Sequence, residues 1–547
     1  MKLFNYKSQQ VIIWGFFFLF FLIGLFTYKD YGIGIDDKFQ RLNGFYWLDY
    51  ILSFTPFEDL KNITSFKLNQ ISGPALPSVE LHQKYGILFD LPASLLEVLF
   101  KIDDSQDYYY FRHFFNFIYF FIGSIFFFKI LNQRFKFNVS FFGTCLYILT
   151  PRIYGDSFYN MKDIVFMTFL SISIYYCFKF FKNNSYKNIL VFSFFTALTL
   201  QMRNYAIFLP LAFSFFYFLS VLSKPSDIKF INKYIVYWIS TILILFITWP
   251  YLWSNPFSNY VEIFSMTDWL LEIKIFFNGK YLTNSYLPYS YISTWILIST
   301  PILHLSLFLV GFLFVFKRFF IKFLNVKEKQ IFYDFWRGKN EKKDLFILIN
   351  FTVLFVSLSF LQINYISTWK YLYFINFFII YIATCGINFL FILFKKRFFI
   401  YLNFLLIFSF LFTISRLVVY HPYQGLYFNS IVTNKFKNDF EVDYTSLSVI
   451  EALKIILKRE PNKKNIKIAA ASWTPIERGV ELLDLKDRKR FELLGQQFSL
   501  ADYIYTNNIS EVDKTVNNKY KIPSNFDKLY VRKIDGVIVF EIYKRKK

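Results

Sequence analysis

Cysteine is scarce in this chain. Cys145, Cys177 and Cys385 are all it has, and each falls in an apolar stretch. Thiols so placed behave as small hydrophobes, so neither a disulfide framework nor a cysteine metal motif can be built from them. Histidine is almost as rare: His82, His113, His304 and His421 show no ligand spacing, which removes support for a histidine metal centre. No glycine-rich phosphate loop occurs, and with it goes the usual signature of a nucleotide-binding fold. No internal repeat of the transporter type is evident. Charged residues are only 18% of 547 positions, which argues against a large soluble domain.

What is present is hydrocarbon. The chain is 55% hydrophobic and 24% aromatic, and its apolar stretches reach the roughly 17–25 residues that cross about 30 Å of membrane. The 79 Phe, with abundant Lys, Asn and Ile, fit A+T-rich codon usage, so no single Phe is read as functional. The net charge of +23 invites a nucleic-acid partner, but its placement argues against one. Lys and Arg gather in alternate short loops: Lys2 and Lys7; Arg134 and Lys136; Lys182 and Lys187; Lys224, Lys229 and Lys233; 317–343; and Lys395, Lys396 and Arg397. That is the positive-inside pattern. Between two inside loops the number of spans is even. The reading is 11–27, 111–131, 139–149, 164–181, 189–200, 205–222, 234–249, 291–316, 345–361, 371–394 and 398–419, about eleven helices. It predicts an α-helical polytopic membrane protein, N-terminus cytoplasmic and C-terminus outside. The first stretch resembles a signal peptide but lacks a small-x-small cleavage site, so an uncleaved span is expected.

Just beyond the first span stands Gly34-Ile35-Asp36-Asp37-Lys38-Phe39-Gln40-Arg41. Carboxylates cost several kcal/mol in hydrocarbon, so this pair belongs at its edge, where proton abstraction or cation binding would use it. Parity gathers 28–110, 151–163, a hairpin tip at Arg203, 250–290 and 362–370 on the same outer side. Trp249-Pro250-Tyr251-Leu252-Trp253 reads as an interfacial aromatic belt. The mixed spacing of 256–277 predicts a helix lying in the membrane surface. Arg152, Lys162, Arg203 and Lys370 thus share one level with Asp36, Asp37, Asp156 and Asp163, a combination suited to an anionic lipid headgroup.

These motifs, in this order, resemble the C-type glycosyltransferases, membrane enzymes related to bacterial protein O-mannosyltransferases and the lipid A aminoarabinose transferase. Asp36-Asp37-Lys38-Phe39-Gln40 is similar to the acidic pair in the family's first outer loop, and Lys162-Asp163 to the Asp that opens its fourth span. Arg203 matches a basic residue after a short fifth span. Thr368-Trp369-Lys370-Tyr371-Leu372-Tyr373 resembles a Trp-Arg-His-Leu-Tyr entry to a late span. There Lys370 replaces the Arg and Tyr371 the His, so paired guanidinium contacts are lost at that position. The likeness continues into His421-Pro422-Tyr423-Gln424 and Glu441-Val442-Asp443-Tyr444. It implies inverting transfer of a sugar from a polyprenyl monophosphate to an acceptor hydroxyl on a glycan, lipid or protein. Asp36 would be the base, supported by Asp37 and Asp163; Arg203, Lys370, Lys162 and Arg152 would hold the donor phosphate. No cofactor is called for, although a divalent metal ion at Asp36, Asp37 and Asp163 stays open.

The same residues admit plainer readings. Asp36-Asp37 would serve as a solvated loop, Lys162-Asp163 as a helix start, Arg203 as a hairpin cap, and Arg152 and the Trp369-Lys370 pair as interface anchors. The segment 317–343 reads as a solvated inside loop. A transporter or flippase of lipid-linked or anionic solutes would need repeat symmetry and charges within the membrane. A polysaccharide polymerase or ligase would share the lipid phosphate chemistry. Accordingly 1–419 is expected to be the membrane domain and 420–547 an extracytoplasmic α/β domain. In the latter 446–458 reads as an amphipathic helix, 466–472 as a buried strand, and 529–533 with 537–543 as a hairpin turning at Asp535-Gly536.

Overall fold

The computed structural model describes residues 6–71, 84–264, 272–324, 335–336, 338–361, 365, 368–394 and 396–546. Its helices are α1 (Tyr6–Thr27), α2 (Asp37–Leu52), α3 (Glu58–Ile71), α4 (Asp90–Leu99), α5 (Ser105–Asn132), α6 (Phe137–Ile148), α7 (Pro151–Tyr159), α8 (Asp163–Lys182) and α9 (Tyr186–Met202). They continue as α10 (Phe208–Ser223), α11 (Ile231–Thr248), α12 (Pro256–Phe264), α13 (Tyr291–Ser299), α14 (Ile302–Leu324), α15 (Lys339–Phe360), α16 (Ile375–Leu393) and α17 (Lys396–Tyr420). Among the described residues, nine helices are long and apolar enough to cross a membrane. The expected spans at α6 and α9 are helical, but at 12 and 17 residues they are shorter than the usual crossing.

Apolar side chains face outward on the rim helices, as with Val11 and Phe18 of α1, Ile239 and Leu243 of α11, and Phe404 and Phe408 of α17. Such rings suit hydrocarbon, where each backbone polar group is satisfied within its own helix. The central helices α8 and α16 are buried along most of their length. Packing there uses small and hydroxylic residues. A Cβ on Gly311 of α14 would meet the Ile382 carbonyl oxygen at 1.9 Å, and one on Gly386 of α16 the Leu307 oxygen at 2.3 Å, so these glycines let two backbones touch. Ser173 of α8 and Thr196 of α9 share a 3.0 Å hydrogen bond, and the Tyr237 hydroxyl of α11 reaches Thr196 at 3.3 Å.

Several expectations are corrected. The span read over 291–316 is two helices, α13 and α14, because Pro301 cannot donate the hydrogen bond that would continue the first. The surface helix read over 256–277 holds only for α12. Lys274–Phe277 is instead strand β1, paired antiparallel with β2 (Lys280–Thr283) through a turn at Asn278-Gly279, and 265–271 lie outside the described residues. The segment 317–343 is not simply a solvated loop: α14 continues into it, α15 starts within it, and Lys343 is buried, donating to the Gln133 carbonyl oxygen at 3.0 Å.

Beyond α17 a small sheet domain forms. Strands β3 (Ile466–Ala470), β4 (Phe491–Leu493), β5 (Tyr503–Thr506), β6 (Phe526–Ile534) and β7 (Val537–Arg545) lie in the order β4-β3-β5-β7-β6. β3 is parallel to both its neighbours; β5, β7 and β6 are antiparallel. The β6–β7 hairpin turns at Asp535-Gly536, both at positive φ, as that dipeptide favours. Helix α18 (Val449–Arg459) buries Leu453 and Ile456 with Ile468, Tyr505 and Ile542. The domain is tied to the helical body by ion pairs: Arg488 with Asp104 at 2.7 Å, Lys38 with Glu481 at 3.5 Å, and Arg416 with Asp535 at 2.6 Å.

Candidate active site

The chain after α1, the start of α8, the α9–α10 connection, the turn before α16 and the segment after α17 all lie at one end of the bundle. Asp36 stands at the N-terminal edge of α2, its side chain half exposed, and accepts a 2.9 Å hydrogen bond from Lys370 Nζ. Burial pushes its carboxyl up, but the Lys370 charge and hydrogen bond, with Lys162 and Arg203 farther off, outweigh this and hold it below the ordinary value. Lys370 sits in a short 3-10 turn (Lys370–Leu372), buried, near the rings of Tyr371 at 5.1 Å and Tyr444 at 5.2 Å. Burial alone would lower its pKa; Asp36 reverses that and raises it.

Asp37 is a different group. It is fully buried, its Oδ2 accepts from the Gly34 N–H at 3.0 Å, and His113 Nε2 lies 3.8 Å away. Burial raises its pKa. A Cβ on Gly34 would lie 2.8 Å from Asp37 Oδ1, so the glycine makes room for this inward carboxylate. Behind it are groups that the sequence reading missed. Asp90 accepts from Asn43 at 2.8 Å, with its pKa pushed up to about 6 by burial, and Glu97 accepts from Arg41 at 2.9 Å and Arg112 at 2.5 Å. They come from helices that only the fold brings together, so no local spacing announces them.

Asp163 opens α8 and is buried against Arg203, whose Nε and Nη2 both donate to Oδ1, at 3.0 and 2.5 Å. The pair raises the Arg203 pKa against the effect of burial. Lys162 stands over the Tyr85 ring at 3.4 Å, and burial pushes its pKa down to about 8. Arg152 is not an interface anchor: it is buried in α7, donates to the Tyr427 carbonyl oxygen at 3.1 Å and lies between Trp295 and Phe428. It lines a cleft with Lys370, Asp156, Tyr373, Asp443 and Tyr444. Two carboxylates in that cleft, Asp156 and Asp443, are pushed up to about 6 by burial. Asp156 is held by Tyr159 and Asn160, at 2.7 and 3.1 Å, and Asp443 by the backbone N–H of Leu447 at 2.9 Å.

The seven sequence-predicted residues therefore fall into an Asp36–Lys370 pair, an Asp163–Arg203 pair, Lys162 beside them, Asp37 turned inward, and Arg152 deeper in the cleft. Among the described residues no three of His, Cys, Asp and Glu are arranged to hold a metal ion. The donor set for the cation left open at Asp36, Asp37 and Asp163 does not fit, because Asp37 points inward while the other two each face a different cation.

Among the described residues the chain thus combines membrane-length apolar helices, a charged cleft and a small sheet domain. Residues 96–253 match the family model described as dolichyl-phosphate-mannose-protein mannosyltransferase, a segment that includes Arg152, Asp156, Lys162, Asp163 and Arg203. Over that segment the chain is mannosyltransferase-like, and its apolar helices make it an integral membrane protein. The family's description names dolichyl phosphate mannose as its donor. No curated protein matches the chain.

Proposed function

We propose that this protein is an inverting glycosyltransferase working at the outer face of a bacterial inner membrane. The donor is a polyprenyl monophosphate sugar and the acceptor a hydroxyl on a glycan, lipid or protein. The observation that carries this reading is the Asp36–Lys370 pair beside the Asp163–Arg203 pair: a carboxylate kept ionised within reach of cations, at the end of the bundle opposite its basic loops. Topology follows from those loops, which put the N-terminus and the lysine-rich end in the cytoplasm and 420–547 outside as a separate domain.

In the step, the acceptor oxygen attacks the anomeric carbon as its proton passes to Asp36. The bond from that carbon to the phosphate oxygen breaks, and the lipid phosphate leaves with the bonding pair. General base catalysis contributes about 10²–10⁴-fold, and stabilising the departing charge often contributes more. Arg203 spends two donors on one Asp163 oxygen; guanidinium has five, so others are left to meet phosphate. Lys370 supplies a point charge, shared between Asp36 and the leaving group, and Lys162 adds a second. Arg152 and Asp156 line the same cleft as Lys370. Purified protein given a polyprenyl monophosphate sugar should glycosylate an acceptor with inverted anomeric configuration. Turnover with a nucleotide sugar in the absence of lipid carrier would overturn the donor assignment, and retention would overturn the single displacement. Net movement of the lipid-linked sugar without any transfer would favour a flippase instead, and transfer of a preassembled oligosaccharide a polymerase.

A further inference from the structure

At the other end of α8, α10, α11 and α15, a cavity of about 700 Å³ opens between the helices. Helix α8 alone, 20 residues from Asp163 to Lys182, separates it from the candidate active site by about 30 Å at 1.5 Å per residue, the thickness of the hydrocarbon. Five lysines line it, Lys182, Lys224, Lys229, Lys339 and Lys342, against one carboxylate, Asp227. Two of them are fixed by neutral partners. Lys342 Nζ donates to Ser220 Oγ at 2.7 Å and stands over the rings of Phe181 at 4.5 Å and Trp336 at 4.7 Å; Lys339 Nζ donates to the Lys182 carbonyl oxygen at 2.8 Å. Among the described residues none of the five makes an ion pair. Cations on adjoining elements do: Arg134 holds Asp344 at 2.7 Å, and Arg318 holds Glu341 at 2.6 Å. Ammonium groups gathered in a concavity repel one another and raise the local concentration of anions. Phe218, Leu222, Ile228, Ile231 and Ile235, on the elements that wall the cavity, are exposed and offer hydrocarbon surface at the same level. An anion carrying acyl chains satisfies both features; a soluble anion satisfies only the charge.

We infer that this cavity binds the phosphate headgroup of an anionic phospholipid in the leaflet opposite the transfer site. The site is separate from the donor's and takes no part in the transfer step. Basic pockets between transmembrane helices are a recurrent way of holding such headgroups. The test uses the full chain purified in a neutral detergent and titrated with phosphatidylglycerol, phosphatidylcholine and soluble glycerol phosphate. Bound lipid is followed by native mass spectrometry and the unfolding midpoint by a thermal ramp. Phosphatidylglycerol should stay bound and raise the midpoint, and the other two should do neither. Lys224→Gln, Lys229→Gln and Lys339→Gln together should weaken phosphatidylglycerol binding by more than about tenfold, whereas Arg at the same three positions should keep it. Undiminished binding in the glutamine variant would overturn the inference. So would equal binding of phosphatidylcholine, which would reduce the site to an apolar groove, or binding of glycerol phosphate as tight as the lipid, which would make it a soluble-anion site. Should the glutamine variant fail to fold, the choice of the wild type between the two phospholipids decides the matter.

Discussion

At the Asp163 end of α8 each cation of the two central pairs meets a carboxylate, Lys370 with Asp36 and Arg203 with Asp163. At the Lys182 end, among the described residues, five lysines share a cavity with the single carboxylate Asp227. The same helix thus carries two basic clusters in opposite electrostatic states. Paired charges are held in fixed geometry with little net field, so they receive an anion that appears only as a bond breaks and release it afterwards. Unpaired charges in a concavity suit an anion that stays. The difference lies less in which residues are present than in whether their opposite charges are within reach.

Breaking the first pair should have the largest effect. Asp36→Asn should lower single-turnover transfer from a lipid-linked sugar by about 10²–10⁴-fold, with donor affinity nearly kept, because the amide cannot take the proton. Asp37→Asn should be much milder, since an amide oxygen still accepts from Gly34 N–H. A fully active Asp36→Asn enzyme would remove the base from this position.

Breaking the second pair should act on folding as well as on transfer. Arg203→Ala leaves Asp163 buried without its partner, a loss of about 3–5 kcal/mol in typical buried pairs. Its unfolding midpoint should therefore drop, and the double variant Arg203→Ala/Asp163→Asn should recover most of that drop without recovering transfer. A double variant that regains transfer would show that the guanidinium serves only its neighbour.

The pH profile separates the carboxylates without mutation. Asp36 is held below its ordinary value of 3.8, so its base form persists as pH falls, and the acid limb of kcat/KM should lie no higher than about pH 4. A limb near pH 6 would instead point to Asp90, Asp156 or Asp443, all raised to about 6.

A smaller effect is expected at Gly34. The Cβ of Gly34→Ala would crowd Asp37 Oδ1 at 2.8 Å, and crowding of a packed interior costs about 1–3 kcal/mol, with the low end expected where a side-chain end can move. Transfer should fall a few-fold, measured against the unfolding midpoint. The smallest effect belongs to the opposite end: Lys339→Gln should leave transfer in detergent unchanged, and a loss comparable to that of the Arg203 variant would collapse the distinction between the two clusters.

Hydropathy and the alternation of basic loops were enough to place most of the long membrane helices, the change of texture after Val419 and the hairpin at Asp535-Gly536, because length, apolarity and turn chemistry are local properties. The order of the motifs brought Asp36, Asp163, Arg203 and Lys370 forward as candidates, and the structure pairs them. Pairing was not legible. Asp36 and Lys370 are separated by 334 positions, and Asp163 and Arg203 by 40. Nor did the sequence distinguish the two adjacent aspartates, which the start of α2 turns in different directions, one half exposed toward Lys370 and one fully buried beside His113. Arg152 reads in the sequence as a donor-phosphate contact or as an interface anchor; the structure places it in the interior, since α7 is buried along its whole length. Residue types and spans are written along the chain; the proton affinity of a carboxylate is decided by what is packed around it, and only the tertiary structure brings those neighbours together.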